Sequence, residues 1–373
     1  MVVFRSIVFW LHLACGVVAG LVVFTMSITG VALTYEKQIL HSADGFRAAP
    51  PTPDASRLGV RALLEEARSR KGEDPTGLRL LSEPYEPARV YFGRSSTLVD
   101  PYTGEPFGEG AVGTRRFFRQ MIVWHRWLGQ DGDGRDVGKA VTGACNLAFL
   151  FLILSGSYLW WPKEWTWKRL RQIVWFRGGL SPKARDFNWH NAIGFWCAVP
   201  LALVVVTATF FSYSWPGKWL YVLTGEEAPQ RNASSASAPK GEEEPNFGDL
   251  DRLWAAAEAD AAPDWQSITL RLPDDPDSPV RFEVDRSTGF RPDLKSTLVI
   301  DRSSGQVLRR ETVADEPVAR QARLWIRWVH TGEAGGIAGQ TLAGIASAGA
   351  CVLVYSGLML SWRRFRAWRS RGA

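Results

Sequence analysis

Residues 7–35 read IVFWLHLACGVVAGLVVFTMSITGVALTY, which contains no Asp, Glu, Lys or Arg. A membrane-spanning helix needs about 20 mostly apolar residues, because every backbone polar group must be satisfied within the segment. This run is far longer than the apolar region of a secretory signal peptide, and no small-residue cleavage site follows it. The segment therefore predicts a retained transmembrane helix.

Three further apolar segments lie at 138–161, 187–215 and 337–362, so the sequence predicts a membrane α-helical fold with a four-helix bundle. The mean hydropathy of −0.11 averages these spans with long polar loops. The composition excludes a disordered chain, a fibrous repeat and a disulfide scaffold. All four cysteines fall within spans, where apolar packing is their expected role: Cys15, Cys145, Cys197 and Cys351.

The short connections predict the orientation, because Lys and Arg accumulate on the cytoplasmic side of a membrane. The linker 162–186 is strongly basic, and the tail 363–373 contains five Arg and no acidic residue. Both termini and this linker are therefore expected inside. The loops between spans one and two, and between spans three and four, are expected outside.

The chain repeats itself, which predicts two outside α+β domains at 36–113 and 216–316. STLVDPYTGEPFGE in the first loop resembles STLVIDRSSGQVLRRE in the second, and each predicts a strand, a turn and another strand. Each outside domain is followed by a segment rich in Arg and aromatic residues, at 114–128 and 317–331. These two segments predict amphipathic helices in the membrane interface. Residues 232–246 predict a flexible linker.

Four of the five histidines lie close to the membrane faces, where ionisable side chains are costly and are functional candidates. His12 and His190 lie near the starts of spans that run outward, so they share a depth near the inner face. His125 and His330 precede spans that run inward, so they share a depth near the outer face. His41 has no counterpart in the second half, and we interpret it as solvated, with an alternative ligand or a residue on the substrate side as the other possibilities.

Two facing imidazoles in a helix bundle can act as the axial pair of a haem iron. Gly16, Gly129 and Gly194 each lie four residues after a histidine, and a small residue there leaves room for a flat macrocycle. Zinc is the alternative, but it favours three or four protein ligands. The sequence therefore predicts two haem sites, one ligated by His12 and His190 and the other by His125 and His330.

The motifs LHLACG, WHRWLG, WHNAIGFW and WVHTGEAGG, together with four spans and repeated outside domains, resemble the PepSY-associated transmembrane family. The resemblance extends over nearly the whole chain, and it is strongest to members that reduce ferric siderophores such as ferrioxamine. It implies PepSY-like periplasmic domains, two b-type haems with bis-histidine ligation and a location in the bacterial inner membrane. By this resemblance the outer pair would face a ferric siderophore. The residues that flank this pair are candidate substrate contacts, and for the tryptophans the alternative is anchoring in the membrane interface: Trp124, Arg126, Arg327 and Trp328.

The inside segments are too short for a flavin or nicotinamide domain, so an external donor is expected, either a quinol or a cytoplasmic reductase. The basic inner surface is expected to contact membrane lipid, and nucleic acid is a poor explanation for it. Two other functions remain open: a non-redox envelope sensor or protease inhibitor, and a permease for siderophores or metal ions. A permease usually has polar groups along its path, whereas the middles of these spans are mostly apolar.

Overall fold

The computed structural model describes residues 2–50, 52, 54–162, 164–227, 247–261, 263–273, 275, 278–287 and 291–371. The predicted linker 232–246 lies outside the described residues. By its contacts the chain divides into two units. Unit 1 comprises residues 1–36, 116–225 and 322–373, and unit 2 comprises residues 37–115 and 226–321. The helices are α1 Val2–Leu33, α2 Glu36–Asp44, α3 Val60–Lys71, α4 Val112–Trp127, α5 Gly134–Trp160, α6 Trp167–Val174, α7 Pro182–Ser212, α8 Trp215–Thr224, α9 Leu250–Ala261, α10 Val318–Thr331 and α11 Gly336–Arg369.

Four helices of unit 1, α1, α5, α7 and α11, are long and apolar enough to cross a membrane. Each helix begins before the predicted start, whereas α1, α5 and α7 end one to three residues before the predicted end. Helix α7 begins at Pro182, where proline is compatible with the first turn of a helix, and it ends at Ser212. Helix α11 continues through most of the predicted basic tail, as far as Arg369.

The spanning helices pack in a ring. Helix α1 contacts α5 and α11, and α7 contacts the same two helices, so α1 and α7 occupy opposite corners. Small residues let α7 and α11 approach closely: Cys197 and Leu201 of α7 are buried against Ala346 and Ala350 of α11. The Nδ2 atom of Asn146 on α5 donates to the Val205 carbonyl on α7 at 3.0 Å. This bond supplies a partner for an amide that is only 3% exposed.

Helix α4 turns back on α5. Leu128 has φ 53° and Gly129 has φ 80°, and these left-handed residues end α4 before α5 begins at Gly134. Thr142 then donates from Oγ1 to the Arg126 carbonyl at 3.1 Å. The end of α4 therefore lies beside the first turns of α5 rather than on a continuation of it. In the second half, the end of α10 approaches α11 in the same way. A Cβ on Gly332 would lie 2.5 Å from the Gly339 carbonyl oxygen.

Gly138 makes the close approach of α4 and α5 possible, since a Cβ at this position would overlap the Trp127 carbonyl. We expect Gly138→Ala to lower the free energy of unfolding by about 1–3 kcal/mol, the usual cost of overpacking. Gly113→Ala is the control within α4, because a Cβ there meets nothing within 4 Å. Thermal unfolding in detergent measures both variants, and equal melting temperatures would contradict the close packing.

Unit 2 contains one continuous antiparallel sheet with the strand order β4-β3-β2-β1-β5-β6-β7-β8. The sequence suggested two separate domains, but β1 and β5 pair with each other and join the two four-stranded halves. The pairing satisfies backbone groups that would otherwise remain free at two strand edges. The strands are β1 Gly77–Leu81, β2 Ala88–Phe92, β3 Ser95–Val99, β4 Pro106–Gly108, β5 Ser267–Arg271, β6 Val280–Asp285, β7 Lys295–Ile300 and β8 Val307–Thr312.

One face of this sheet forms the hydrophobic core of unit 2 together with helices α3 and α9. Leu63 and Leu64 of α3, and Leu250 and Leu253 of α9, are 0% exposed. The opposite face is polar, because successive side chains on a strand alternate between faces. The core therefore holds the helices on one side and leaves the other side of the sheet rich in charged groups.

Asp44, the last residue of α2, anchors that helix in unit 2. Its carboxylate accepts from the Ala111 backbone N–H at 3.0 Å and from Arg115 at 2.5 and 2.7 Å. Burial alone would raise the pKa of Asp44, but these hydrogen bonds and the charges of Arg89 and Arg115 hold it below its ordinary value. The carboxylate is therefore an ionised, multiply bonded cap.

Helix α8 corrects the predicted start of the second outside domain at residue 216, because Trp215–Thr224 belongs to unit 1. Its large apolar side chains are exposed: Trp219 by 58%, Val222 by 71% and Leu223 by 76%. A short helix with this composition matches the interface of a membrane rather than water. The boundary was wrong because the hydrophobic pattern of the third span continues into α8 after a break at Tyr213.

Candidate functional site

The structure brings His12 of α1 and His190 of α7 together across the diagonal of the bundle. Their ring centroids are 6.5 Å apart, and the ring planes are at 85° to each other. Both helices start near the same end of unit 1, so residues from opposite corners converge in its interior. The sequence predicted this pairing from depth alone.

Each of these two histidines contacts a serine of a neighbouring helix, and His190 also bonds the Leu353 carbonyl of α11. The Nδ1 atom of His12 lies 2.8 Å from Ser155 Oγ, and that of His190 lies 2.9 Å from Ser356 Oγ. Each serine uses its single hydroxyl proton on its own helix: Ser155 donates to the Phe151 carbonyl at 2.6 Å, and Ser356 to the Val352 carbonyl at 2.7 Å. Each serine must then accept from the imidazole, which places the histidine proton on Nδ1 and leaves the Nε2 lone pair free.

The second pair consists of His125 on α4 and His330 on α10, whose ring centroids are 6.4 Å apart with an interplanar angle of 60°. Here Nδ1 meets backbone oxygens. His125 is 2.9 Å from the Met26 carbonyl of α1, and His330 is 3.0 Å from the Val204 carbonyl of α7. A carbonyl can only accept, so the proton again lies on Nδ1 and Nε2 stays free.

Threonine hydroxyls complete the surroundings of the second pair. Thr29 Oγ1 lies 3.0 Å from His125 Nδ1, and Thr207 Oγ1 lies 3.3 Å from His330 Nδ1. Both threonines also donate to carbonyls one turn earlier on their own helices. Each histidine of this pair therefore has two acceptors within reach, as His190 has in Ser356 and the Leu353 carbonyl, whereas His12 contacts Ser155 among the described residues.

The two pairs lie at different depths along the spanning helices. Met26, which contacts His125, is 14 residues after His12, and Val204, which contacts His330, is 14 residues after His190. At about 1.5 Å per helical residue, each separation corresponds to roughly 21 Å. The helical hairpins return His125 and His330 to this depth, which explains why residues well ahead of the second and fourth spans lie beside α1 and α7.

Glycines lie against three of the rings, although not where the sequence suggested. A Cβ on Gly156 would lie 3.3 Å from His12 Cε1, one on Gly357 would lie 3.3 Å from His190 Cε1, and one on Gly30 would lie 3.5 Å from His125 Cε1. These glycines belong to the neighbouring helix. The interpretation of Gly129 as space beside His125 was wrong, because its positive φ ends α4.

The aromatic and Arg residues proposed as substrate contacts have different environments. Trp328 is only 6% exposed and packs edge to face on Trp325 at 5.1 Å, so its expected substrate contact is corrected to a packing role. Trp124 is 45% exposed. The guanidinium carbon of Arg126 lies 4.7 Å from the centre of the Trp127 ring, and Arg327 is exposed. A cavity of about 400 Å³ adjoins Trp127 and is also lined by Arg119 and Arg135.

His41 belongs to α2 of unit 2, and its side chain is 57% exposed with Nε2 3.7 Å from Glu86 Oε1. This environment agrees with a solvated histidine and gives no support to a ligand role. Within the described residues no group of three or more His, Cys, Asp or Glu side chains could hold a metal ion.

Sequence reasoning missed the partners of the histidines, Ser155, Ser356, Thr29 and Thr207. The signal was present in the spacing. Thr29 follows His12, and Thr207 follows His190, by the same 17 residues, and Ser-Gly recurs near the ends of the second and fourth spans. A polar residue that recurs at the same place in both halves suggests a hydrogen bond within the bundle. The sequence does not show which residue it bonds, because the partner lies on another helix.

No match was found among the curated proteins. A family model described as the PepSY-associated TM region matches residues 9–364, which include most or all of each spanning helix, both histidine pairs and the sheet. The match extends over nearly the whole length of the chain, and it agrees with the observed combination of four apolar helices and an antiparallel sheet. This protein therefore belongs to the PepSY-associated transmembrane region family.

Proposed function

We propose that this protein is a two-haem electron-transfer protein of the bacterial inner membrane that reduces ferric siderophores in the periplasm. The observation that carries the proposal is the arrangement of the four histidines. They form two facing pairs, and in each ring the Nδ1 proton is engaged while Nε2 is free for a metal. Ligating histidines characteristically donate their other ring nitrogen to a fixed acceptor.

The spacing of the rings fits a metal held between two imidazoles. A metal–imidazole bond is about 2.0 Å and a ring nitrogen lies about 1.2 Å from the ring centre, so two imidazoles that held one metal between them would have centroids roughly 6.4 Å apart. The observed separations are 6.5 and 6.4 Å. Haem needs only two protein ligands because the macrocycle supplies the rest. Zinc would need a third or fourth ligand, and none is grouped with either pair within the described residues.

In this proposal His12 and His190 hold one haem, and His125 and His330 hold the other. When bound, haem supplies one-electron exchange at its iron, for which no protein acid or base is required. The protein holds the imidazoles in one tautomer, buries them among apolar helices and places the two sites at opposite depths of the bundle. A ferric siderophore that accepts one electron becomes a ferrous complex, and hard-oxygen chelators hold ferrous iron far less tightly.

The orientation of the proposed pathway follows from the charges. The basic linker and the Arg-rich end of α11 would face the cytoplasm and anionic lipid, which places His12 and His190 near the inner face. Electrons would enter there from a quinol or from a cytoplasmic reductase. His125 and His330 would lie near the periplasmic face, where a siderophore has access.

The visible absorption spectrum of the detergent-purified protein tests the function. From haem-replete cells we expect two haems per chain, and dithionite should produce the sharp bands of reduced, six-coordinate haem. An envelope sensor or a permease would be colourless. A colourless preparation would therefore remove the redox proposal and leave these two functions.

The serine acceptors provide a finer test. We expect Ser155→Ala to weaken haem affinity about 10–100-fold, because His12 loses the acceptor that fixes its ring. Ser356→Ala should have a smaller effect, because the Leu353 carbonyl remains as an acceptor for His190. Thr29→Val and Thr207→Val should have smaller effects, since the Met26 and Val204 carbonyls remain as acceptors. Haem titration of the apoprotein measures these affinities.

Two other serines are matched controls. Ser157 on α5 and Ser361 on α11 donate only to carbonyls of their own helices, Ile153 at 2.8 Å and Gly357 at 2.8 Å. Their alanine variants should bind haem as the parent does. If Ser157→Ala weakened binding as much as Ser155→Ala, the loss would reflect helix packing rather than the bond to His12.

A further inference from the structure

The hairpin formed by α4 and α5 has an open cavity of about 400 Å³ on its surface. Arg119, Val123 and Trp127 line it, and their spacing of four residues places them on one face of α4. Phe118, which is only 2% exposed, and the paired His125 lie on a different face of this helix. The cavity is therefore separate from the proposed haem sites.

The charged groups that line the cavity are accessible to a ligand, since Arg119, Asp131 and Arg135 are all exposed. Arg135 donates to the Asp131 carboxylate at 2.6 Å, and its guanidinium carbon lies 4.7 Å from the centre of the Trp127 ring. Arg119 forms no hydrogen bond or ion pair within the described residues. One guanidinium group is therefore held in position, and the other is free to bind.

The net charge around the cavity is positive. The Gly132 backbone N–H and the charge of Arg135 hold the pKa of Asp131 below its ordinary value, so this carboxylate is ionised. It compensates only one of the two arginines that line the cavity. Arg126 adds a further positive charge, with its guanidinium carbon 4.7 Å from the centre of the Trp127 ring. The excess positive charge favours an anionic ligand.

The second hairpin, formed by α10 and α11, makes a similar close approach of two helices without these side chains. Counted from the histidine of each hairpin, the positions of Arg119 and Trp127 are occupied in the second half by Leu324 and Gly332. The hairpin fold therefore does not require the charged and aromatic residues of the cavity. A ligand that binds only the first hairpin would account for them.

The cavity lies where an apolar span begins. Arg135 is in the first turn of α5, and Val137 and Val141 follow it with side chains that are 66% and 39% exposed. Ile122 and Val123 add apolar surface to the cavity itself. Lipid headgroups lie at this boundary, just outside the hydrocarbon core, and tryptophan is enriched there. The cavity is therefore at the level of phospholipid headgroups.

We propose that this cavity binds an anionic phospholipid, whose phosphodiester group pairs with Arg119 and Arg135. A guanidinium group bonds two phosphate oxygens through parallel N–H donors, and basic pockets beside membrane spans bind lipid headgroups. Phosphatidylglycerol carries one negative charge and neutralises the excess charge of the cavity. Phosphatidylcholine would bring an ammonium group next to the arginines. The site goes beyond the redox proposal, because none of its residues belongs to the two histidine pairs.

Phosphatidylglycerol with a photoactivatable acyl chain tests the site on the full-length, delipidated protein in detergent. After irradiation, peptide mass spectrometry should find the label between residues 117 and 135. Unlabelled phosphatidylglycerol should compete for this labelling, and about tenfold more phosphatidylcholine should be needed, because its ammonium group is repelled. Inorganic phosphate should not compete, since it lacks the acyl chains. Competition by inorganic phosphate, or equal competition by the two lipids, would overturn the proposed occupant.

Substitutions at Arg119 connect the label to the cavity. In Arg119→Met the phosphatidylglycerol concentration that gives half-maximal labelling should rise about tenfold, the usual loss for a hydrogen bond between charged groups. Arg119→Lys keeps the charge but lacks the parallel donors, so it should fall between the parent and Arg119→Met. Arg116→Met is the matched control, because Arg116 is exposed one turn earlier on α4 and, among the described residues, does not line the cavity.

Thermal unfolding without lipid distinguishes a ligand site from a structural arginine. Arg119 and Arg116 are exposed, so both methionine variants should melt at the temperature of the parent. A lower melting temperature for Arg119→Met would make Arg119 a structural residue and overturn the site. Equal losses of labelling in Arg116→Met and Arg119→Met would indicate general attraction of lipid to α4, with the same consequence. A colourless protein that is labelled through Arg119 would refute the redox function while leaving the lipid site in place.

Discussion

Purified His190→Ala protein should contain one haem for every two in the parent. This substitution removes the ring whose centroid lies 6.5 Å from that of His12 in the parent, and it leaves His12 as the one remaining histidine of the pair. One histidine would hold haem far less firmly than two. His12→Ala should lose the same haem for the same reason. The pyridine haemochrome assay, divided by protein concentration, gives the stoichiometry.

Double variants test the pairing itself. Two histidines of the same site hold the same haem, so the double variant His12→Ala, His190→Ala should lose that haem and retain the other. Residues from different sites are independent, so His190→Ala with His330→Ala should retain none. His41→Ala is the control and should retain both haems, because His41 is exposed beside Glu86. If His12→Ala with His190→Ala lost both haems, the assignment of ligands to pairs would be wrong.

Periodicity was sufficient to predict the spanning helices and the equivalent positions of His12 and His190 along them. Long apolar runs have few alternatives, because backbone groups in lipid must bond within their own segment. The depth of His12 and His190 follows from direction and distance along such helices. Both properties depend on the sequence of a single span, so they can be predicted without knowing how the helices pack.

The contacts that complete the site depend on packing and could not be predicted in the same way. Ser155 binds His12 across 143 residues of sequence, and Ser356 binds His190 across 166. The position of His125 beside α1 depends on the turn at Leu128 and Gly129, since a few residues with positive φ reverse a helix. The pairing of β1 with β5 likewise joins segments that are far apart in the sequence. The sequence pattern predicts each strand but does not show which strands pair with each other.

Reduction of the siderophore should require the haem that we propose for His125 and His330. In the His125→Ala, His330→Ala double variant we expect the inner haem to be retained and reducible by dithionite. Reduction of a ferric siderophore by the prereduced protein should fall to the rate measured without protein. The remaining site would lie about 21 Å deeper along α1 and α7, near the opposite membrane face in the proposed orientation. Stopped-flow absorption at the haem bands, with a ferrous chelator as a second readout, measures the step.

A matched comparison separates this gating from a general loss of structure. Thr29→Val keeps His125 and its bond to the Met26 carbonyl, so it should retain both haems and a measurable reduction rate. His12→Ala with His190→Ala keeps the outer haem, which should still pass its stored electron to the siderophore in a single turnover. It should nevertheless fail to sustain turnover, because the inner site links the donor to the outer haem. Rapid siderophore reduction by the variant without the outer pair would mean that the substrate reaches the inner site, and the proposed direction of electron flow would be wrong.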